Sequence, residues 1–497
     1  MLCKAQKMPG LKGRVAQRIT SSLFFLSPLV TSAIPRLTWF FLPLIGITLI
    51  LSALRNGSGL RELLTPSASW TPFVLLALYL FFNATWAADQ PAALGAASLF
   101  LGASLIVCAS IRAVPSLPQA LLHRAALAFT IGALFGALFL LFELVTHALI
   151  MRTALNSIDW LQRNAKHMVI SHGEVTKIKP SVLDQNIAIA MFNLWPGLLV
   201  LKGIEGGARR WILIGTFFTC IAVTILISVH HSSKVALISS SLIFMCAWIW
   251  PRVTVSSLAA LWCLAFILVL PAAFAAYKAE LHMALWLPMS ARHRVIIWEY
   301  TAERVPHHLW SGIGAASTPA LKPRPDAGER PEGFIVQPST GEHAHDLYLQ
   351  TWYELGLLGV ILVAWAGAAT ALGIYLLPSA AQAFAATTFF VCLAIETFAW
   401  SMWQPWLMCA LSLLAIYVRV ASDTCEDDRA APIQPETWKP TGGWKRYLKT
   451  RFASVGRHGA SLVRDSRTWC GHGFKSALGL FPAIPWFDWR PRADSNR

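Results

Sequence analysis

Long apolar runs constrain this chain more than any other feature of it. Eleven of them, at 39–54, 69–87, 93–111, 126–150, 187–201, 211–229, 234–250, 256–276, 355–377, 381–400 and 406–420, approach or exceed the length that crosses a bilayer. About 20 apolar residues, each rising roughly 1.5 Å, cover the hydrocarbon, so the runs read as helices rather than barrel strands. A soluble core has no use for so much apolar surface: 56% of the 497 residues are hydrophobic and only 13% are charged. The expected fold class is an all-α polytopic membrane protein.

Lys and Arg in the short connections set the orientation, because cytoplasmic loops carry the excess of positive charge. Arg55 and Arg61, Arg112 and Arg124, Lys202 with Arg209 and Arg210, then Arg252 and the basic tail fall in alternate connections, which marks those sides as cytoplasmic. Eleven spans would leave Lys4, Lys7, Lys12, Arg14 and Arg18 on the opposite face, and a further short span over 19–34 removes the conflict. The expectation is therefore about twelve transmembrane helices with both ends cytoplasmic. A signal peptide has the same order of basic then apolar residues, but no convincing small-residue cleavage site follows here. The chain divides into a basic N-terminus at 1–18, spans within 19–276 interrupted by an external loop at 151–186, a large external loop at 277–354, spans within 355–420, and a basic cytoplasmic tail at 421–497.

Charged residues inside the runs are nearly confined to Glu143 and Glu396, and no internal repeat is visible. Both observations argue against a transporter, which gathers ionisable groups at the midplane between repeats. No cysteine falls in either external loop, so no external disulfide framework is expected. Part of the net charge of +16 lies in the tail, where Lys and Arg alternate with Trp and Phe. That composition suits anionic headgroups with aromatics at the interface, so membrane lipids rather than nucleic acid are the expected partners.

Polar chemistry collects in the large loop. Within "MSARHRVIIWEYTAERVPHHLWSGIGAAST", Arg294, Trp298, Thr301 and Val305 fall on one helical face, and Pro306 ends the helix before a Gly-rich turn. An arginine so placed can fork two hydrogen bonds to a phosphate; alternatively, Arg292 and Arg294 pair with Glu299 and Glu303 on a solvated helix. A second cation, Lys234, follows His230 and His231 at a span end on the same outer side, where it can snorkel or share a cavity with the loop arginines. The loop ends in "EHAHDLYLQTWYELGLLG". His343 and His345 point the same way if the segment is extended, and with Glu342 or Asp346 they could bind zinc, but no HExxH or CxxC partner accompanies them. A histidine acting as general base is chemically easier, since neutral imidazole can take a proton from a sugar hydroxyl near neutral pH with no cofactor.

These residues resemble the bacterial O-antigen ligases and the related polymerases, whose pattern is His, then Asn, Ser or Gln, then nine residues, then Gly-x-x-Gly. Here His345 and Asp346 are followed by nine residues and by Gly356-Leu-Leu-Gly359, with Asp346 departing from the usual amide or hydroxyl. Arg294-Val-Ile-Ile-Trp298 with Pro306 and Gly312-Ile-Gly314 resembles the family's upstream pattern, and Ser233-Lys234-Val235-Ala236 resembles its S-R-x-A. The helix at 184–201 ends in Trp195-Pro196 as the family's does, but lacks the Arg often found near its start. The resemblance runs from about Asp184 to Val420.

It implies a GT-C-like, metal-independent glycosyltransferase at the periplasmic face of the bacterial inner membrane. Such an enzyme moves a finished glycan from undecaprenyl pyrophosphate to a sugar hydroxyl of lipid A-core. His345 would be the base, and Arg294, Arg292, Lys234 and His343 would hold the pyrophosphate and substrate. Asp346, Glu354, Gly356, Gly359 and Trp298 would support them. An ionised Asp346 would accept where Asn or Ser can donate, and could act on His345 or pair with Arg294. An O-antigen or exopolysaccharide polymerase and a protein O-oligosaccharyltransferase are alternatives that use the same architecture.

Overall fold

The computed structural model describes residues 11–65, 69–158, 167–204, 206–321, 343–398 and 400–424. Glu342, the loop cations Lys322, Arg324 and Arg330, and the tail from 425 lie outside the described residues. The elements are α1 (Leu11–Ala33), α2 (Thr38–Arg55), α3 (Leu60–Leu64), α4 (Thr71–Asn83), α5 (Gln90–Ala113), α6 (Gln119–Val145), α7 (Leu149–Ser157), β1 (Met168–Ser171), β2 (Glu174–Ile178), α8 (Asp184–Lys202), α9 (Gly207–Ile227), α10 (His231–Ile249), α11 (Pro251–Lys278), α12 (Met289–Ala302), α13 (Leu347–Tyr375), α14 (Ser379–Glu396) and α15 (Pro405–Thr424).

Nine of the described helices, α2, α5, α6, α9, α10, α11, α13, α14 and α15, are long and apolar enough to cross a membrane. The chain is an all-α polytopic membrane protein. Each remaining run predicted as a span also coincides with a helix, namely α1, α4 and α8. These three depart from the simple apolar pattern for physical reasons. Some polar groups of α1 are engaged inside the bundle: Ser27 Oγ meets the Tyr417 hydroxyl at 2.7 Å, Thr31 Oγ1 donates to the Ser27 carbonyl at 2.7 Å, and the Ser32 carbonyl accepts from Asn186 Nδ2 at 2.7 Å. Helix α8 is central, buried at every residue from Asn186 to Leu201, and needs no polar face at all. Helix α4 is only 13 residues long and ends on Asn83, whose side chain has a task described below.

Two local expectations are corrected. The run at 126–150 is not one helix, since α6 stops at Val145 and His147 and Ala148 take positive φ. Glu143 causes the break: fully buried near the end of α6, it accepts the backbone N–H groups of Ile150 and Met151 at 2.8 and 3.1 Å and so caps α7. The loop at 151–186 contains the antiparallel pair β1 and β2, a hairpin that run length cannot reveal.

The feature that positions everything near the large loop is a break inside α13. Gly356 adopts φ 63° and ψ −168°, so the helix is two segments meeting at this residue. A break exposes carbonyls on one side and N–H groups on the other, which is intolerable in an apolar bundle without replacement partners. The turn after α12 supplies them. Leu309 and Trp310 carbonyls accept from Leu357 and Leu358 N–H at 2.7 and 3.4 Å, while Ile313 and Gly314 N–H donate to the Tyr353 and Glu354 carbonyls at 3.1 and 3.0 Å. From α4, the Tyr79 hydroxyl donates to the Leu355 carbonyl at 2.5 Å. Asn83 reads both sides of the turn, with Nδ2 donating to Ser311 O at 2.8 Å and Oδ1 accepting from Ala315 N at 2.7 Å.

This approach leaves no room for side chains at the crossing. A Cβ on Gly312, itself at φ 68°, would strike the Glu354 carbonyl, and a Cβ on Gly356 would lie 2.5 Å from Ser311 N. Gly312→Ala and Gly356→Ala each add steric overlap to a positive-φ cost of about 1–3 kcal/mol. Both variants are expected to melt well below wild type in detergent thermal scans, whereas Gly95→Ala, which meets nothing within 4 Å, is expected to be neutral.

Candidate active site at the head of the broken helix

Helix α13 begins under the strongest local signal of the sequence. Asp346 is its N-cap, extended at φ −154°, and its carboxylate accepts the Leu349 N–H at 2.8 Å. Asn, Ser and Asp all cap well, which accounts for Asp in place of the amide or hydroxyl usual in the resembling family. Burial, opposed by hydrogen bonds from the Leu349 and Tyr348 backbone, raises the Asp346 carboxyl to about 7. The preceding residue, His345, sits at φ 53°, a left-handed conformation that few non-glycine residues adopt. It is held there between the cap and Ala344, which is buried with Ala302, Val305, Ile313, Leu349 and Tyr353. The imidazole is half-buried, and its centroid lies 3.9 Å from that of His343, so the two histidines do share one side of the segment.

About two turns into α13, Glu354 locks the second half of the loop to this helix. Its carboxylate accepts from Thr318 Oγ1 at 2.5 Å, Ala316 N at 3.1 Å, Gln350 Nε2 at 3.1 Å and Trp403 Nε1. Gly359 is buried on the same helix. Glu354 and Gly356 therefore hold the segment that carries His345.

Helix α12 supplies the cation. Residues two apart on a helix are separated by about 200°, so Arg292 and Arg294 leave opposite sides. Arg292 Nε donates to the His282 carbonyl at 2.9 Å and is fastened to the turn after α11. The carboxylate whose charge acts on Arg294 is that of Asp184, the first residue of α8, rather than that of Asp346, Glu299 or Glu303. Burial lowers the pKa of Arg294 and raises Asp184 to about 7, the arginine's charge opposing the latter shift. Asp184 Oδ1 is buried and finds no hydrogen-bond partner among the described residues, and the same holds for Trp298 Nε1 one turn along from Arg294. Trp298 packs against the apolar cluster containing Ala344, and its ring lies 6.3 Å from Phe398.

The charge of Arg294 also reaches His230, the cap of α10. Burial first, then Arg294 and His231, lower His230 to about 4, so it is neutral at physiological pH. Its Nδ1 meets Ser233 Oγ at 2.7 Å and its ring stacks on Trp400 at 5.1 Å. Lys234 lies in the same first turn, half-buried. The starts of α8 and α10 and the end of α14 thus converge on the Arg294 and Trp298 face of α12. Sequence reasoning missed Asp184, Asn83 and Trp403. A single polar residue ending an apolar run was the available signal for Asn83; an N–H on Trp403 gave none.

Glu354→Gln would aim an NH2 group at a ring of donors, with an expected loss of about 1–3 kcal/mol, read as a lower melting temperature in detergent. Asp346 carries a testable pH dependence. An acid whose folded pKa is raised favours the fold fully below its ordinary value, 3.8, and that contribution is lost as pH rises through about 7. Asp346→Asn keeps the cap and removes the titration, so its melting temperature relative to wild type should rise from about pH 5.5 to about pH 8.

No curated protein matches the sequence. A family model described as O-Antigen ligase matches residues 216–364, the stretch that supplies Lys234, Arg294, Trp298, His345, Glu354 and both glycines of the Gly-x-x-Gly pattern. Through that stretch the chain is similar to the O-antigen ligase family.

Proposed function

We propose that this protein transfers a glycan from undecaprenyl pyrophosphate to a sugar hydroxyl of lipid A-core, in one inverting displacement, at the periplasmic face of the inner membrane. The likeness of residues 216–364 to the O-antigen ligase family supports an enzyme of O-antigen ligase or polymerase type. The observation that carries the finer reading is the pairing of a strained, half-exposed His345 at a helix head with a desolvated Arg294 on the adjoining helix.

In this reading, His345 takes the proton of the acceptor hydroxyl as its oxygen attacks the anomeric carbon. The bond to the pyrophosphate oxygen breaks, and the electron pair leaves with the phosphate. Arg294 and Lys234 stabilise the charge that develops there, more strongly for being partly removed from water. His343 orients the His345 ring, and Trp298 offers a buried N–H toward the substrate. Arg292 braces the loop instead of touching phosphate, given its hold on His282. This chemistry calls for no cofactor. The apolar spans would hold the polyprenyl chain.

His345→Ala is expected to lower transfer by about 10²–10⁴-fold, measured with purified protein, lipid-linked glycan and lipid A-core. Arg294→Lys should retain only part of the activity, since the charge survives and the fork does not. In a deletion strain, wild type but neither His345→Ala nor Arg294→Ala should restore long glycan on lipopolysaccharide gels. Long glycan attached by His345→Ala would remove the base assignment. A deletion phenotype of short glycan still attached to lipid A-core would make the protein a polymerase.

A further inference from the structure

The most exposed large apolar residues of the described chain are Leu285 and Trp286, 87% and 76% accessible. They form the tip of the turn at 279–288 that connects α11 to α12, and Met283 and Met289 flank them, also exposed. From Leu281 to Met289 the sequence has no Asp, Glu, Lys or Arg, while Lys278, Glu280 and Arg292 stand just outside it.

We infer that this turn is a membrane anchor whose apolar tip sits in the headgroup–acyl boundary of the lipid bilayer. Three observations favour lipid as the occupant. First, the patch continues a lipid-facing stripe. Along α11, Leu261, Leu264, Leu268, Pro271, Ala272 and Ala275 are exposed at helical spacing, and the stripe leads directly into the turn. Second, the exposure is not slack in the chain. The Tyr277 and His282 rings stack at 4.3 Å and 7°, and Arg292 Nε holds the His282 carbonyl at 2.9 Å. The backbone satisfies itself, with Leu281 N donating to Ala276 O at 3.2 Å, Met283 N to Glu280 O at 2.8 Å and Leu287 N to Ala284 O at 3.1 Å. A turn that brings few open N–H groups can enter the interface cheaply. Third, the composition is that of interfacial segments, a tryptophan and aliphatic side chains with cations at the rim, where lipid phosphates lie.

The consequence concerns α12, which starts at Met289, at the edge of the patch. Anchoring the turn fixes the depth of α12 and therefore of Arg294; this consequence rests on the proposed function, because a lipid-linked pyrophosphate lies at the same headgroup level.

The test places the photoreactive residue p-benzoylphenylalanine at Leu285, and separately at Trp286, in the full chain reconstituted into vesicles of phosphatidylethanolamine and phosphatidylglycerol. Leu264 on the exposed face of α11 is the positive reference and Ile170 on β1 the negative one. After irradiation, peptides are weighed for phospholipid adducts. Adduct yields at 285 and 286 matching that at 264, with none at 170, are expected. Yields at 285 and 286 no higher than at 170 would overturn the inference, and so would cross-linking of these positions to a second copy of the chain in place of lipid. The readout is a lipid mass on a peptide, so it fails independently of any failure in glycan transfer.

Discussion

The turn after α12 and the break in α13 depend on each other, and most of the surrounding structure depends on both. A helix interrupted inside an apolar bundle must find new partners for several backbone groups. Here they come from Leu309, Trp310, Ile313 and Gly314, with Tyr79 and Asn83 completing the set. Once this exchange forms, the upper segment of α13 no longer has to follow the axis of the lower one. Glu354 and the Asp346 cap then fix where that segment begins, and His345 occupies the position just before it.

The Gly-x-x-Gly pattern thereby acquires a physical meaning. Gly356 and Gly312 are glycines because backbone meets backbone where they cross. The spacing from His345 to Gly356 measures the upper helical segment, which spans the distance from the cap to the crossing. Two of the acidic residues buried in the bundle have a related explanation. Glu143 caps α7, and Glu354 joins a loop, a helix and Trp403, so each is satisfied by donors that would otherwise be left unpaired.

Much of this was legible in the sequence. Run length located eleven of the helices predicted to span, since crossing hydrocarbon is a demand on consecutive residues, and the sidedness of Lys and Arg located α1. Helical spacing put Arg294, Trp298, Thr301 and Val305 on one face of a helix ended by Pro306; α12 stops earlier, at Ala302, and Val305 opens the short turn that follows, with Thr301 and Val305 both fully buried. The closeness of His343 and His345 followed from their separation by one residue. Other features were not legible because they join distant segments. Spacing offers Arg294 the carboxylates of Glu299, Glu303 and Asp346, yet the one whose charge acts on it comes from the start of α8, more than a hundred residues earlier. Asp346 departs from the amide or hydroxyl of the resembling pattern, and its capping geometry explains it.

The sequence by itself determined that this chain enters a membrane many times as helices, because hydrophobic burial is written locally in the order of residues. Only the tertiary structure decided which arginine is desolvated beside the candidate site, why two glycines are indispensable, and what Asn83 does. Those outcomes are hydrogen bonds and electrostatic contacts across the bundle, whose strength depends on distance and burial, and neither quantity exists until the helices have packed.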